Sequence, residues 1–299
     1  MKRIAVIPAA LAVVIVACSG AASPTPAPTS GATPGPEPSS VPGASATPGP
    51  GAGLVLKIVD SGGLVPAHVP LVQLPSVAIY ADGRMITQGP MIEIYPGPAV
   101  PNLQVTQLSA DGLARVVAFM RQAGLVGPDR TLDAPIADAP ATIFNAVLDG
   151  AAHRTVAVAL GSEAGLDIPA GERAARAALL ELQRQLIDIR STPGAVNGED
   201  RPYQWTALRI VSSHDLLPPD DGGIRPGVVG WPLEPGLAEF GEPVGGDVRC
   251  GVLSGEELAR IRPAFEQANQ LTRWLSDGVE YTLFFRPLLP DESGCERAS

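Results

Sequence analysis

Lysine is almost absent from this sequence, and aromatic residues and histidine are scarce. Lys2 and Lys57 are the only lysines, aromatic residues make up 4% of the chain, and there are three histidines. The formal net charge of −10 argues against nucleic acid or an anionic lipid surface as a partner, because both bind basic surfaces. The low aromatic content also leaves few rings for stacking against sugars.

The motifs of common hydrolases and metal sites are missing as well. His68, His153 and His214 are not spaced as zinc ligands, and neither H-E-x-x-H nor G-x-S-x-G occurs. Ser213-His214-Asp215 has the residue types of a catalytic triad, but adjacent residues cannot converge their side chains on one centre. We interpret it as a strand end or turn. We therefore expect no catalytic residue, metal or cofactor, with an unrecognised extracytoplasmic hydrolase as the alternative.

The N-terminus has the pattern of an export signal. Lys2 and Arg3 precede an apolar run from Ile4 to Val16. The run is shorter than the roughly 20 residues of a membrane-spanning helix and matches the apolar region of a signal peptide. The run ends at the residues "IVAC", with Cys18 at the last position.

The segment Ile15-Val16-Ala17-Cys18 resembles the lipobox of bacterial lipoproteins. The resemblance implies that residues 1–17 are a signal peptide and that Cys18 receives a diacylglyceryl group, with acyl chains such as palmitate. Two acyl chains, at about 0.8 kcal/mol per buried CH₂, anchor a protein stably. We therefore expect a protein anchored by lipid to the extracytoplasmic face of the cell membrane. Ordinary secretion, with Cys18 removed or incidental, is the alternative.

Residues 18–53 are predicted to form a disordered linker. Nearly all of them are Pro, Gly, Ser, Thr or Ala, so few side chains could offset the entropy lost on ordering. A globular domain is expected at 54–299, with possible lobes at 54–192 and 200–299.

Two cysteines remain once Cys18 is assigned to the lipid. Cys250 and Cys295 form an even pair, which in an oxidising compartment favours a disulfide bond. A reactive free thiol is the other interpretation.

Short turn and capping signals predict an α+β fold of antiparallel hairpins packed with about three helices. Asp82-Gly83 and Asp149-Gly150 separate alternating apolar runs, and Asp277-Gly278 precedes another strand-like segment. One helix is expected after a capping Ser109 and a second at about 170–190. A third is expected after Ser254, with a kink or restart at Pro263.

The first and third helices are preceded by similar sequences. Leu108-Ser109 and Leu253-Ser254 are each followed by Leu-Ala-Arg at the same offset, and each follows a predicted strand. A duplicated strand–helix–strand unit would explain this similarity. Convergent capping chemistry would explain it equally well.

The proline- and glycine-rich stretch at 218–246 is a candidate surface loop. Trp231 and Phe240 are possible contact residues there, and the alternative is that they pack the loop onto its own domain. The segments at 80–125 and 250–295 resemble uncharacterised exported proteins of high-GC bacteria, and no activity attaches to that group. We hypothesise a surface lipoprotein whose folded domain binds an unknown protein or envelope ligand.

Overall fold

The computed structural model describes residues 53–91, 93–216 and 226–296. The predicted lipobox and all but the last residue of the predicted linker therefore lie outside the described residues. In these ranges the chain forms two mostly antiparallel sheets and four α-helices, which confirms the α+β class in broad terms. No helix in them is long and apolar enough to cross a membrane.

The first sheet is built from the N-terminal part of the described chain. Its strands are β1 (Leu54–Gly62), β2 (Val77–Tyr80), β3 (Arg84–Gln88), β4 (Leu103–Gln107), β5 (Arg130–Leu132), β6 (Pro140–Leu148), β7 (Ala151–Val158) and β8 (Arg201–Pro202). The spatial order is β5-β7-β6-β1-β2-β3-β4-β8. All neighbours are antiparallel except β5 and β7.

The second sheet is built from the C-terminal part. Its strands are β9 (Ala207–Ser213), β10 (Val228–Gly230), β11 (Glu242–Gly245), β12 (Val248–Ser254), β13 (Arg273–Ser276) and β14 (Val279–Pro287). The spatial order is β10-β13-β14-β9-β12-β11, and only β10 and β13 run parallel.

Three long helices and one short helix accompany the sheets. They are α1 (Val69–Val72), α2 (Ala110–Gln122), α3 (Ala170–Asp188) and α4 (Gly255–Gln267), and a 3-10 turn at Ile189–Ser191 follows α3.

The Asp-Gly pairs form hairpin turns, as predicted. Asp149 and Gly150 both have positive φ (52° and 79°) and connect β6 to β7. Asp277 and Gly278 (51° and 80°) connect β13 to β14 in the same way. Positive φ at both central residues matches the right-handed twist of the strands, which explains why this dipeptide favours a hairpin.

The two predicted serine caps have different outcomes. Ser109 Oγ accepts a hydrogen bond from the backbone N–H of Gly112 at 3.0 Å, which confirms that cap. The prediction for Ser254 is wrong, because its side chain makes no capping bond. Ser254 still belongs to β12, where it pairs with Ala207, and the chain turns only at Gly255 (φ 53°). The helix does not restart at Pro263, which lies inside the continuous α4.

Each sheet packs one face against helices. In the first sheet, Ile58 shares a buried apolar cluster with Val116 of α2 and Leu182 of α3. In the second sheet, Ile210 shares another with Ile261 of α4. Residues adjacent to these on the strands face the opposite way, because side chains alternate along a strand.

The two sequence-similar helices lie in different topological surroundings. Strand β12, which leads into α4, pairs directly with β9, the first strand of its sheet. Strand β4, which precedes α2, is separated from β1, the first strand of its sheet, by β2 and β3. The duplication therefore stays a hypothesis that rests on the local strand-to-helix connection.

The C-terminal segment, residues 288–296, lies between the two sheets and contacts both. Leu289 packs in an apolar cluster with Tyr80 of the first sheet. Cys295 packs beside Val211 of the second sheet. Tyr203 Oη, from the connection between the sheets, donates a hydrogen bond to the carbonyl oxygen of Leu288. The segment therefore joins the two halves of the folded chain.

A mostly buried group of charges, the Glu292 cluster, secures this segment and consists of Glu292, Lys57, Arg286 and the more exposed Asp291. The Glu292 carboxylate accepts hydrogen bonds from Lys57 Nζ at 3.0 Å and from both terminal nitrogens of Arg286. Lys57 Nζ also pairs with Asp291 at 2.6 Å. Burial alone would raise the pKa of Glu292, but Arg286 and then Lys57 lower it to about 2.

A disulfide bond joins Cys250 to Cys295, with the Cα atoms 6.0 Å apart. Cys250 lies in β12, so the bond attaches the C-terminal segment covalently to the second sheet. The same segment is hydrogen-bonded there by Arg209, whose Nε donates to the carbonyl oxygen of Gly294 at 2.7 Å.

Replacing Cys295 with serine is expected to lower the free energy of unfolding by about 2–4 kcal/mol, because the open chain gains loop entropy when unfolded. Denaturant unfolding of the variant, with the exposed neighbour Ser293→Ala as control, measures the difference. Alkylation of the oxidised wild type without reductant should label neither Cys250 nor Cys295. Labelling of both would show that the bond does not form.

Glu292→Gln is expected to cost about 3–5 kcal/mol, because it leaves buried Lys57 and Arg286 without their shared counter-ion. The pKa of Glu292 is lowered on folding, to about 2. Its carboxylate therefore contributes stability above its unfolded pKa of 4.5, and this contribution is lost as the pH falls from 4.5 towards 2.

Unfolding free energies measured from pH 7 to pH 2 test this expectation. The wild-type and Glu292→Gln curves should converge on acidification. Glu181→Gln, which removes an exposed partner of Arg184, serves as the control and should change stability by less than about 1 kcal/mol. Parallel curves for wild type and Glu292→Gln would contradict the role assigned to this carboxylate.

Candidate functional site

A groove of about 450 Å³ lies between the C-terminal half of α3 and strands β1, β2 and β3 of the first sheet. Pockets of roughly 300–1,000 Å³ commonly hold small molecules. The groove opens on the helix-covered face of the sheet, at the edge where β2 begins and β3 ends. It is therefore a candidate binding site.

The floor of the groove is aliphatic. Ile58, Val77 and Met85 come from three adjacent strands, and Leu186 comes from α3; none of these residues is more than 7% exposed. Ile187 follows Leu186 in the helix, is rotated away from the sheet, and is 76% exposed at the rim. No aromatic ring lines the groove.

The polar groups of the groove lie at its edges. They are supplied by Ser76, Thr87, Gln88, Gln183 and Arg190. Ser76 Oγ donates to the carbonyl oxygen of Ile58 at 3.2 Å, and Gln88 Nε2 contacts the sulfur of Met91 at 3.4 Å. Met91 is 75% exposed, which extends the apolar rim beyond the lining itself.

Arg190 supplies the single formal charge of the lining. It lies in the 3-10 turn after α3 and donates a hydrogen bond from Nη2 to Thr87 Oγ1 at 2.7 Å. Its Nη1 pairs with Asp200 at 3.2 Å. These two partners fix the guanidinium at the end of β3, and N–H donors remain for an acceptor in the groove, since a guanidinium carries five.

The lining can bind a ligand through apolar contact, hydroxyl and amide hydrogen bonds, and one cation. It contains no carboxylate, histidine or cysteine. A general base or activated nucleophile requires such groups within hydrogen-bonding distance of the reacting atoms. The side chains that line the groove therefore fit a binding site.

A second cluster surrounds the end of β9 at Ser213-His214-Asp215. Asp247, which sequence reasoning did not include, accepts three hydrogen bonds there on Oδ2. The donors are Ser213 Oγ at 2.5 Å, His214 N at 2.7 Å and Asp215 N at 2.9 Å. Ser213 ends β9, which confirms the interpretation as a strand end.

The cluster does not have the order of a catalytic triad. In a triad, histidine lies between serine and the carboxylate, whereas Ser213 bonds directly to Asp247 and is fully buried. Burial would raise the pKa of Asp247, but the hydrogen bonds from Ser213, Asp215 and His214 outweigh it and hold the pKa below its ordinary value. The carboxylate therefore closes the strand end.

His214, Asp215 and Asp247 also place three potential ligand atoms within 4.8 Å of one another. The Oδ2 atom of Asp247 is already occupied by three donors, and the side chains of His214 and Asp215 are 50% and 72% exposed. Exposed acidic groups next to a histidine are common without a metal, so we assign the cluster its structural role only.

The two aromatic residues predicted as contact residues lie together in the second sheet's apolar cluster. Phe240 is 7% exposed and Trp231 is partly buried, and their ring centroids are 5.2 Å apart. Trp231 also lies edge-on to Trp274, and its Nε1 donates to the carbonyl oxygen of Pro235. Both rings pack the loop onto its own domain, which is the alternative considered from the sequence.

The remaining predicted residues are not part of the groove. Cys250 and Cys295 are joined in the second sheet, and Cys18 lies outside the described residues. The groove residues were missed because their contacts join distant parts of the chain: Thr87 and Arg190 are 103 positions apart. No short motif marks such a pair.

No protein-family model, curated protein or solved structure matches the chain.

Asp247→Asn is expected to lower the free energy of unfolding by about 1–3 kcal/mol, because hydrogen bonds to a charged acceptor are weakened. The lowered pKa of Asp247 means that its contribution is present at neutral pH and is lost as the pH falls below 3.8. Thermal or denaturant unfolding at pH 7 and at pH 3 measures both effects. Asp215→Asn is the control, since its carboxylate is exposed; an equal loss for Asp215→Asn would contradict the assignment.

Proposed function

We propose that this chain is an exported lipoprotein, anchored through Cys18 to the extracytoplasmic face of the cell membrane, whose folded domain binds an envelope or extracellular ligand. The observation that carries the export part is the disulfide between Cys250 and Cys295. Disulfides persist in oxidising compartments and are rare in the cytosol. This supports the export signal inferred from the N-terminal pattern.

The binding part is supported by the groove beneath α3. Its size, its buried aliphatic floor and its few polar groups at the edges are the usual features of a small-molecule site. The exposed apolar residues Ile187 and Met91 at its rim are of the kind that a ligand would cover.

The hydrolase alternative has less support from the described residues. The Ser213 hydroxyl is buried and bonded to Asp247, and the groove lining offers no acid or base. If this chain were a hydrolase, its reacting centre would have to lie outside both the groove and the Ser213–Asp247 cluster.

We also propose that the two similar strand–helix–strand units arose by duplication. Its support is that β4 and β12 each lead through a serine into a helix of 13 residues. It does not affect the assignment of the groove, which is lined by the first sheet, α3 and the flanking residues Ser76 and Arg190.

Cys18→Ala is expected to release the protein from the membrane or to leave its precursor unprocessed, because the acyl chains are attached to that thiol. Membrane fractionation in the producing cell, compared with Ser19→Ala as control, measures the first effect. Intact-mass spectrometry of the mature wild type should show an acylated N-terminal cysteine. A mature chain that begins at Ala22 or Ser23 without lipid would refute the anchor.

A further inference from the structure

We infer that the groove beneath α3 binds an amphiphile with a flexible aliphatic chain and one carboxylate, a medium- or long-chain fatty acid. This inference rests on the proposed binding function and names the ligand class. It depends on three features of the groove: the aliphatic side chains of its floor, the absence of aromatic rings from its lining, and the position of Arg190.

The floor favours an aliphatic chain. Ile58, Val77 and Leu186 provide branched aliphatic surface, and Met85 adds a side chain that adapts to irregular shapes. All four are at least nine-tenths buried within the protein, so the floor is apolar and an aliphatic chain in the groove would lie against aliphatic side chains. Removal of apolar surface from water is worth about 25 cal/mol per Å².

The absence of rings from the lining disfavours planar ligands. Sugars, nucleobases and aromatic metabolites are commonly held by stacking on aromatic side chains or guanidinium planes. The lining contains no aromatic residue, and the Arg190 guanidinium is held at the edge by Thr87 and Asp200. A flexible chain needs no such stacking.

Arg190 favours an anionic head. It is the one charged residue of the lining; Thr87 accepts from its Nη2 and Asp200 pairs with its Nη1, so a ligand carboxylate would bind through the remaining N–H donors. A guanidinium presents parallel N–H donors that match the two oxygens of a carboxylate. The net charge of −10 does not oppose this, since charges separated by more than about 8 Å are largely screened at physiological ionic strength.

The rim gives the chain a route into the groove. Ile187 and Met91 are exposed next to lining residues, Ile187 as part of the lining and Met91 through its contact with Gln88. This apolar edge lies beside Arg190, since Gln88 follows Thr87, the partner of Arg190. The aliphatic end of the ligand would enter over this edge, and the carboxylate would stay at the mouth of the groove with Arg190.

Methionine-methyl NMR can report on the groove directly, because the described residues contain one methionine in the floor, one at the rim and one elsewhere. Met85 lines the floor, Met91 lies at the rim, and Met120 is buried in α2 outside the lining. The full anchored protein, labelled on methionine methyl groups and reconstituted in lipid nanodiscs, is titrated at pH 8 with decanoate and, separately, with decanol. Methionine-to-leucine variants assign the three signals.

Decanoate is expected to shift the Met85 and Met91 signals and to leave Met120 unchanged. Arg190→Gln should weaken decanoate binding by about tenfold, as expected for a lost charge-assisted hydrogen bond, and should leave decanol binding unchanged. Arg184→Gln is the matched control, since Arg184 lies in α3 just before the turn that holds Arg190, pairs with Asp188 and does not line the groove. Gln183→Trp, which fills the groove from the partly exposed face of α3, should abolish both titrations.

Two results would overturn the inference. If decanoate leaves Met85 unshifted, the groove does not bind a fatty acid. If decanol and decanoate bind equally and Arg190→Gln changes neither, the head is not anionic. An unchanged Met120 signal in each variant shows that the variant is folded.

A parallel titration with a lipid and metabolite extract of the native envelope separates this inference from the proposed function. If the extract shifts Met85 while decanoate does not, the ligand class is wrong and the binding function stands. If neither shifts Met85, the groove is not the binding site, and both statements fail together.

Discussion

The Glu292 carboxylate holds the two halves of the folded chain together. It accepts from Lys57 of the first sheet and from Arg286 of the second, and all three side chains are at most 12% exposed. An isolated buried charge costs several kcal/mol, so buried Arg286 depends on Glu292 as its counter-ion, while Lys57 pairs with both Glu292 and Asp291. These contacts therefore favour the arrangement of the two sheets that brings the three charges together with the C-terminal segment between them.

The disulfide and Arg209 act on the same segment from its other end. Arg209 is almost fully buried and donates to the carbonyl oxygens of Gly294 and Leu71, while burial and the neighbouring Arg286 lower its pKa to about 10. The covalent bond to Cys250 adds to these polar contacts. A C-terminal segment with few large apolar side chains would ordinarily fray, and here charge, hydrogen bonds and a cross-link hold it between the sheets.

Local signals predicted most of the secondary structure, and long-range contacts account for what was missed. Asp149-Gly150 fixes a hairpin through the φ angles of two adjacent residues, so its effect is visible in the sequence. Ser254 has the same local pattern as Ser109 but remains paired in β12, and strand pairing overrides the cap. The pairing of Lys57 with Glu292 spans 235 positions, and no periodicity marks it.

The charge cluster and the groove are linked through one strand. Lys57 and Ile58 are adjacent in β1, and alternation directs Lys57 to the Glu292 cluster and Ile58 to the floor of the groove. A shift of β1 by one residue would place a lysine in the aliphatic floor and an isoleucine among buried charges. The electrostatic contacts between the sheets thus support the register of the strand that shapes the candidate site, although no charged residue of the cluster lines the groove.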